Sequence, residues 1–173
     1  VILRGETEAA RFVEVRSETF GQVISEPLRK GSFVKKNDIL CQLDEGTRKT
    51  TLADATAKLE EAKALIPQTE AKLDEANSRL EEAKINFNAA TKLSQGGYAS
   101  ETRVASAEAA MRSAEAGVAT ATAGFESTRA RIQSAEAGVA AAEKEIERLI
   151  IKAPFGGTLE SDTAEIGSLL QPG

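Results

Sequence analysis

The chain has 173 residues, of which 22 are basic and 27 acidic, for a formal net charge of -5. Aromatic residues make up 4%, tryptophan is absent and Cys41 is the single cysteine, so a thick globular core, a basic nucleic-acid surface and an internal disulfide are all excluded. Histidine is absent too, which removes Ser-His and Cys-His catalysis and His-held metal, and no phosphate-cradling or nucleophile-elbow pattern occurs.

In chain order, the opening zone reads as β-structure. Phe12-Val-Glu-Val15 alternates, Gly21-Gln-Val-Ile24 follows, and the run from Gly31 to Asp44 adds a turn and a further strand. Such a half cannot bury a face alone.

From 47 to 149 usage shifts to Ala, Glu and Lys, interrupted only by Pro67 and the pair Gly96-Gly97. Two helices are expected, 47–95 and 101–149, each on the order of 70 Å long. Leu52, Leu59, Ile66, Leu73, Leu80 and Phe87 recur every seven residues, with Ala55, Ala62, Thr69, Ala76, Ala83 and Ala90 three residues further on. These are a and d positions of a left-handed heptad seam. The second helix repeats the pattern with Val104, Met111, Val118, Phe125, Ile132, Val139 and Ile146 at a, and Ala107 through Leu149 at d. A turn at Gly97 opposes residues whose numbers sum to about 194, so each layer sets a large side chain against a small one, Leu73 against Ala121 for example.

Outside the seam, Asp54/Lys58, Glu75/Arg79 and Glu108/Arg112 are acid-first pairs four residues apart. Pro67 lacks the N–H that would bond one turn back, so the first helix is expected to bend there. Ser113 to Ala119 recurs as Ser134 to Ala140, a step of three heptads that keeps the seam in phase. Gly117, Gly124 and Gly138 share heptad position g, and each weakens the helix by about 1 kcal/mol relative to alanine; the stripe reflects either the close approach of a neighbour, with hairpin-to-hairpin packing expected there, or mere sequence drift.

The tip, 96–100, lies within Lys92-Leu-Ser-Gln-Gly-Gly-Tyr-Ala-Ser100. Gly96-Gly97 ends the first helix and Ser100 caps the second. Capping leaves Leu93 and Tyr98 unexplained, and apolar groups at the end of a rod imply a contact. The closing zone, 150–173, supplies further short strands in Leu149 to Leu159 and Ile166 to Leu170. An antiparallel hairpin brings this half back to the first.

The two halves resemble the split lipoyl (biotinyl-like) domain of the periplasmic adaptor, or membrane fusion, proteins of Gram-negative efflux pumps and type I secretion systems. The first half carries Gly21-x-Val23, Lys30-Gly31, Val34-Lys35-Lys36 and Leu40-x-x-Leu43-Asp44; the second carries Ile151-Lys-Ala-Pro-Phe-x-Gly157 and Ile166-Gly167. The resemblance covers essentially the whole chain. It implies an α+β fold: a fragment of a β-barrel domain (1–10), the first lipoyl-like half (11–46), an inserted helical hairpin (47–149) and the second half (150–173). It implies that the chain is a piece of a longer protein, attached to the inner membrane from the periplasmic side through a segment outside it.

Lipoyl carriers bear their cofactor on a lysine in a tight β-turn, which the hairpin replaces here, so no cofactor is expected on Lys49 or Lys152. The implied partners are an outer-membrane channel at the tip, an inner-membrane transporter at the β-domains and further copies of the chain in a ring or tube. Adaptors of resistance-nodulation-division drug pumps carry at the tip an Arg, a Leu four residues on and a Ser seven further. Leu93 and Ser100 match, whereas the Arg position is Ala89 and Lys92 offers the nearby charge. The partner-binding residues expected are Lys92, Leu93, Gly96, Gly97, Tyr98 and Ser100. An ABC-type or type I secretion adaptor and a generic coiled-coil scaffold are the alternatives, and the scaffold leaves the paired β flanks unaccounted for.

Overall fold

The computed structural model describes residues 8–173, which divide into two compact units, one running to Leu52 and resuming at Ala141–Gly173, the other Ala53–Ala140. Most of the segment expected to belong to a β-barrel, 1–10, lies outside the described residues, and 8–10 form no strand. Nor does Phe12–Val15. Its side chains alternate in sequence, but no partner strand pairs with it among the described residues, and Phe12, Val13 and Val15 are all exposed.

The first unit holds six short strands: β1 (Gly21–Gln22), β2 (Phe33–Val34), β3 (Ile39–Gln42), β4 (Ile150–Lys152), β5 (Gly157–Thr158) and β6 (Leu169–Leu170). They pair antiparallel as β1 with β6, β2 with β5 and β3 with β4. Every strand pair joins a strand from before the helices to one from after them, while within the first half an isolated antiparallel bridge links Val23 to Leu43. The core is built the same way. Val23, Cys41 and Leu43 from the first half meet Leu149 from the second, with Ile151, Ala164 and Leu170 against them. Leu43 and Leu149 are 0% and 1% exposed. Gly21 has a packing reason to be glycine, because a Cβ there would stand 3.0 Å from the Leu43 Cβ.

The two halves repeat one hydrogen-bonding scheme. In the turn Lys35–Asp38 the Asp38 amide donates to the Lys35 carbonyl (3.1 Å), Asn37 has φ +71°, and the Asp38 carboxylate accepts the Lys35 amide (2.7 Å). In Glu165–Ser168 the Ser168 amide donates to the Glu165 carbonyl (3.0 Å), Gly167 has φ +83°, and the Ser168 hydroxyl accepts the Glu165 amide (3.3 Å). Each turn then grips a buried residue of the opposite half. Asn37 and Asp38 exchange backbone bonds with Ala153, as Gly167 and Ser168 do with Val23, all at 2.8–2.9 Å. The positive φ at the third turn position is the left-handed conformation that glycine and asparagine tolerate best.

The helices are α1 (Arg48–Ala64), α2 (Ile66–Gln95) and α3 (Glu101–Glu147). The first expected helix is thus interrupted, and the fault lies at Leu65, two residues before the proline. Pro67 occupies the second helical position of α2, where its missing N–H costs nothing, while the Leu65 amide reaches back only to Ala62, at 3.3 Å. At its far end α3 stops two residues short of the expected 149. Arg148 and Leu149 turn out of the helix, because the Leu149 carbonyl is bonded to the Leu43 amide and its side chain fills the β-core.

Every expected a and d residue is buried or half-buried, and almost every other helical position is exposed. The three acid-first pairs have formed: Asp54–Lys58 at 2.7 Å, Glu75–Arg79 at 2.6 Å, and Glu108–Arg112. No helix among the described residues is long and apolar enough to cross a membrane.

Candidate functional site

The tip follows from backbone satisfaction at a helix end. The last turn of α2 leaves carbonyls without intrahelical partners. Here the Tyr98 amide donates to the Leu93 carbonyl (2.8 Å) and the Gly97 amide to the Ser94 carbonyl (2.9 Å), with Gly97 at φ +78°. This crossed pair of bonds is a Schellman motif. Gly96, the residue just past α2, keeps a right-handed backbone at φ −83°, and Gly97 is the residue that needs glycine. Ser100 opens α3: its hydroxyl accepts the Arg103 amide at 3.4 Å and shares a 2.8 Å hydrogen bond with the Thr102 hydroxyl. Lys92 stands in the last turn of α2, where a cation favours the negative end of the helix dipole.

Sequence reasoning missed a structural role for the two apolar residues. Leu93 and Tyr98 hold the two positions of a Schellman motif where apolar side chains commonly meet, so part of their presence follows from the turn itself. The signal was available in the glycine pair, with Leu93 three residues before it and Tyr98 directly after it. The motif nevertheless leaves Leu93 44% exposed and Tyr98 86% exposed. Ala89, at the position of the arginine in the resistance-nodulation-division tip motif, is exposed as well.

A second feature lies along the flank of α2 and α3, an open groove of about 850 Å³. Its lining runs from Thr69 to Asn86 on α2 and from Ala110 to Gly124 on α3. In an antiparallel pair these stretches face one another when opposed residue numbers sum to about 194. Gly117 and Gly124 line the groove, with Lys72 and Arg79 opposite them, while Gly138 lies outside it. At all three glycines a Cβ would meet nothing within 4 Å, so none of the described residues makes the close approach that their spacing suggested.

The helical feet are fastened by contacts that carry no local sequence signal. The Arg48 guanidinium donates to the Thr19 hydroxyl (2.9 Å) and the Phe20 carbonyl (2.7 Å) at the start of α1. Just past α3, Arg148 pairs with Glu18 (3.1 Å) and with Glu145 (2.5 Å). The segment from Glu18 to Phe20 is therefore a strap held by one arginine from each foot. Nearby, Lys144 hydrogen-bonds Glu147 at 2.7 Å and holds its carboxyl below the ordinary value, with a smaller contribution from Lys152. Cys41 is buried, and burial pushes its thiol up. Lys49 lies in α1 and Lys152 in β4, neither in a β-turn. Among the described residues no group of His, Cys, Asp or Glu could hold a metal.

No family model matches the sequence, and no curated protein does either. Solved structures do. MacA from Actinobacillus actinomycetemcomitans superposes with a TM-score of 0.71 at 25% identity, over 94% of this chain and 46% of MacA. A membrane fusion protein from Streptococcus pneumoniae gives 0.54 at 13% identity, over 89% of this chain and 57% of that one. The periplasmic adaptor protein EmrA gives 0.52 at 18% identity, over 96% of this chain and 70% of EmrA. The chain thus spans less than half the length of MacA. Its long helical hairpin set into a split β-domain is the fold of the membrane fusion, or periplasmic adaptor, proteins.

Proposed function

We propose that the chain is the hairpin and lipoyl-like part of a periplasmic adaptor, linking an inner-membrane transporter to an outer-membrane channel for the export of small molecules, with the drug-efflux adaptors as the nearest type. Its work is mechanical and involves no catalysis. In this reading the lipoyl-like domain comprises 11–46 and 150–173, the β parts face the transporter, and the tip meets the channel. Several hairpins associate side by side through the groove that Gly117 and Gly124 line, with Gly138 continuing the stripe. Many equivalent tips acting together make weak individual contacts sufficient.

The observation that carries the reading is the tip. A backbone-determined turn presents Leu93 and Tyr98 to solvent, with Lys92, Gly96, Gly97 and Ser100 building the turn around them. Apolar groups held outward in a fixed turn fit the contact site of a protein partner. Leu93→Asp in the full-length protein should abolish export in cells while the circular dichroism of the purified protein stays unchanged. Export at the unsubstituted level would refute the tip assignment.

A further inference from the structure

The tip's one aromatic residue is positioned by the absence of a side chain next to it. If Gly96 carried a Cβ, that atom would stand 3.0 Å from Tyr98 Cδ2 and 3.2 Å from Cε2, tighter than most such contacts, so the ring would have to shift by a few tenths of an ångström to admit it. The ring therefore lies over the Gly96 α-carbon, with most of its surface open. Backbone conformation does not explain this glycine, because φ −83° and ψ 0° suit any residue. At Gly97 the reverse holds: φ is +78° and nothing lies within 4 Å of its would-be Cβ. The two adjacent glycines thus have different reasons to be there, one conformational and one steric.

We infer that Gly96 is a positioning residue for the partner contact, laying the Tyr98 ring across the end of α2 as a preoriented platform for the helical tip of a partner protein. This rests on the proposed docking of the tip. A tyrosine has two side-chain torsions to immobilise on binding, and a ring already seated on the backbone has lost much of that freedom beforehand. Removing the seat should weaken docking about three- to tenfold.

The test is a double-mutant cycle of Gly96→Ala and Tyr98→Ala in the full-length protein, with a photo-activatable residue at Gln95. The readout is cross-linking yield to the outer-membrane channel protein of the same cell. NMR on the 173-residue chain supplies the local measure, a nuclear Overhauser contact between the Tyr98 ring and the Gly96 α-protons. The contact should be present in the unsubstituted chain. Gly96→Ala alone should lower the yield, and in the Tyr98→Ala background it should change nothing further. The inference is overturned if the contact is absent, or if Gly96→Ala leaves the yield intact while Tyr98→Ala lowers it. If Leu93→Asp also leaves the yield intact, the docking reading falls with it.

Discussion

The β-domain and the hairpin are held together in opposite ways. In the β-domain a few side chains are completely buried, and they come from both ends of the chain: Val23, Cys41 and Leu43 against Leu149. Along the hairpin the seam residues are mostly only half-buried, with Ala90, Thr128 and Ala142 the buried exceptions. Two helices in isolation cannot enclose a core, so their stability is spread over many similar layers. A small domain that concentrates its burial is sensitive at single points. A rod that distributes it tolerates local damage and keeps its length.

Substitutions can break this contrast. Leu43→Ala, at a fully buried position shared by both halves, should destabilise the β-domain by about 2–5 kcal/mol in chemical denaturation. Leu73→Ala removes an equal volume from one half-exposed layer and should destabilise by about 1–2 kcal/mol, leaving the helix content of the neighbouring heptads intact. Equal losses at the two sites would mean that burial is not concentrated as described.

The smallest effect expected is at the foot of α3. Lys144 lowers the Glu147 carboxyl from its ordinary value of 4.5, so the pair stabilises the fold above that pH. The contribution fades as pH falls from 4.5 through the lower folded value. Amide protection factors in the last turn of α3, taken relative to the unstructured rate at each pH, should fall in that window before those of the seam at Leu73 respond. An NMR titration that places the Glu147 carboxyl at or above 4.5 would contradict the assignment.

Much of the hairpin was legible because its signals are local. The seven-residue recurrence from Leu52 to Phe87 and from Val104 to Ile146 specifies the seam, and Gly96-Gly97 with Ser100 specifies the turn. The end of α3 was not legible, since the pull on Leu149 comes from Leu43, more than a hundred residues earlier. The β-domain shows the same limit. Motif resemblance located its two halves, yet strands of two to four residues exist only through pairing across the whole hairpin, and Phe12–Val15 has the pattern of a strand without a partner. The strap was invisible, because Arg48 and Arg148 look like any surface arginines until Glu18, Thr19 and Phe20 are seen between them.

At the candidate site, sequence identified the apolar pair Leu93 and Tyr98 but assigned it wholly to a partner. The structure divides the explanation. The turn accounts for where these residues stand, and their exposure supplies the reason to expect a partner.

The central claim is that the tip and the flank of one hairpin serve different partners. Photo-activatable residues placed separately at Tyr98 and at Gly124 of the full-length protein, activated in living cells, test it most directly. Tyr98 should cross-link to an outer-membrane channel protein, and Gly124 to a second copy of the same chain. Capture of the second copy at Tyr98, or of the channel at Gly124, would contradict the account.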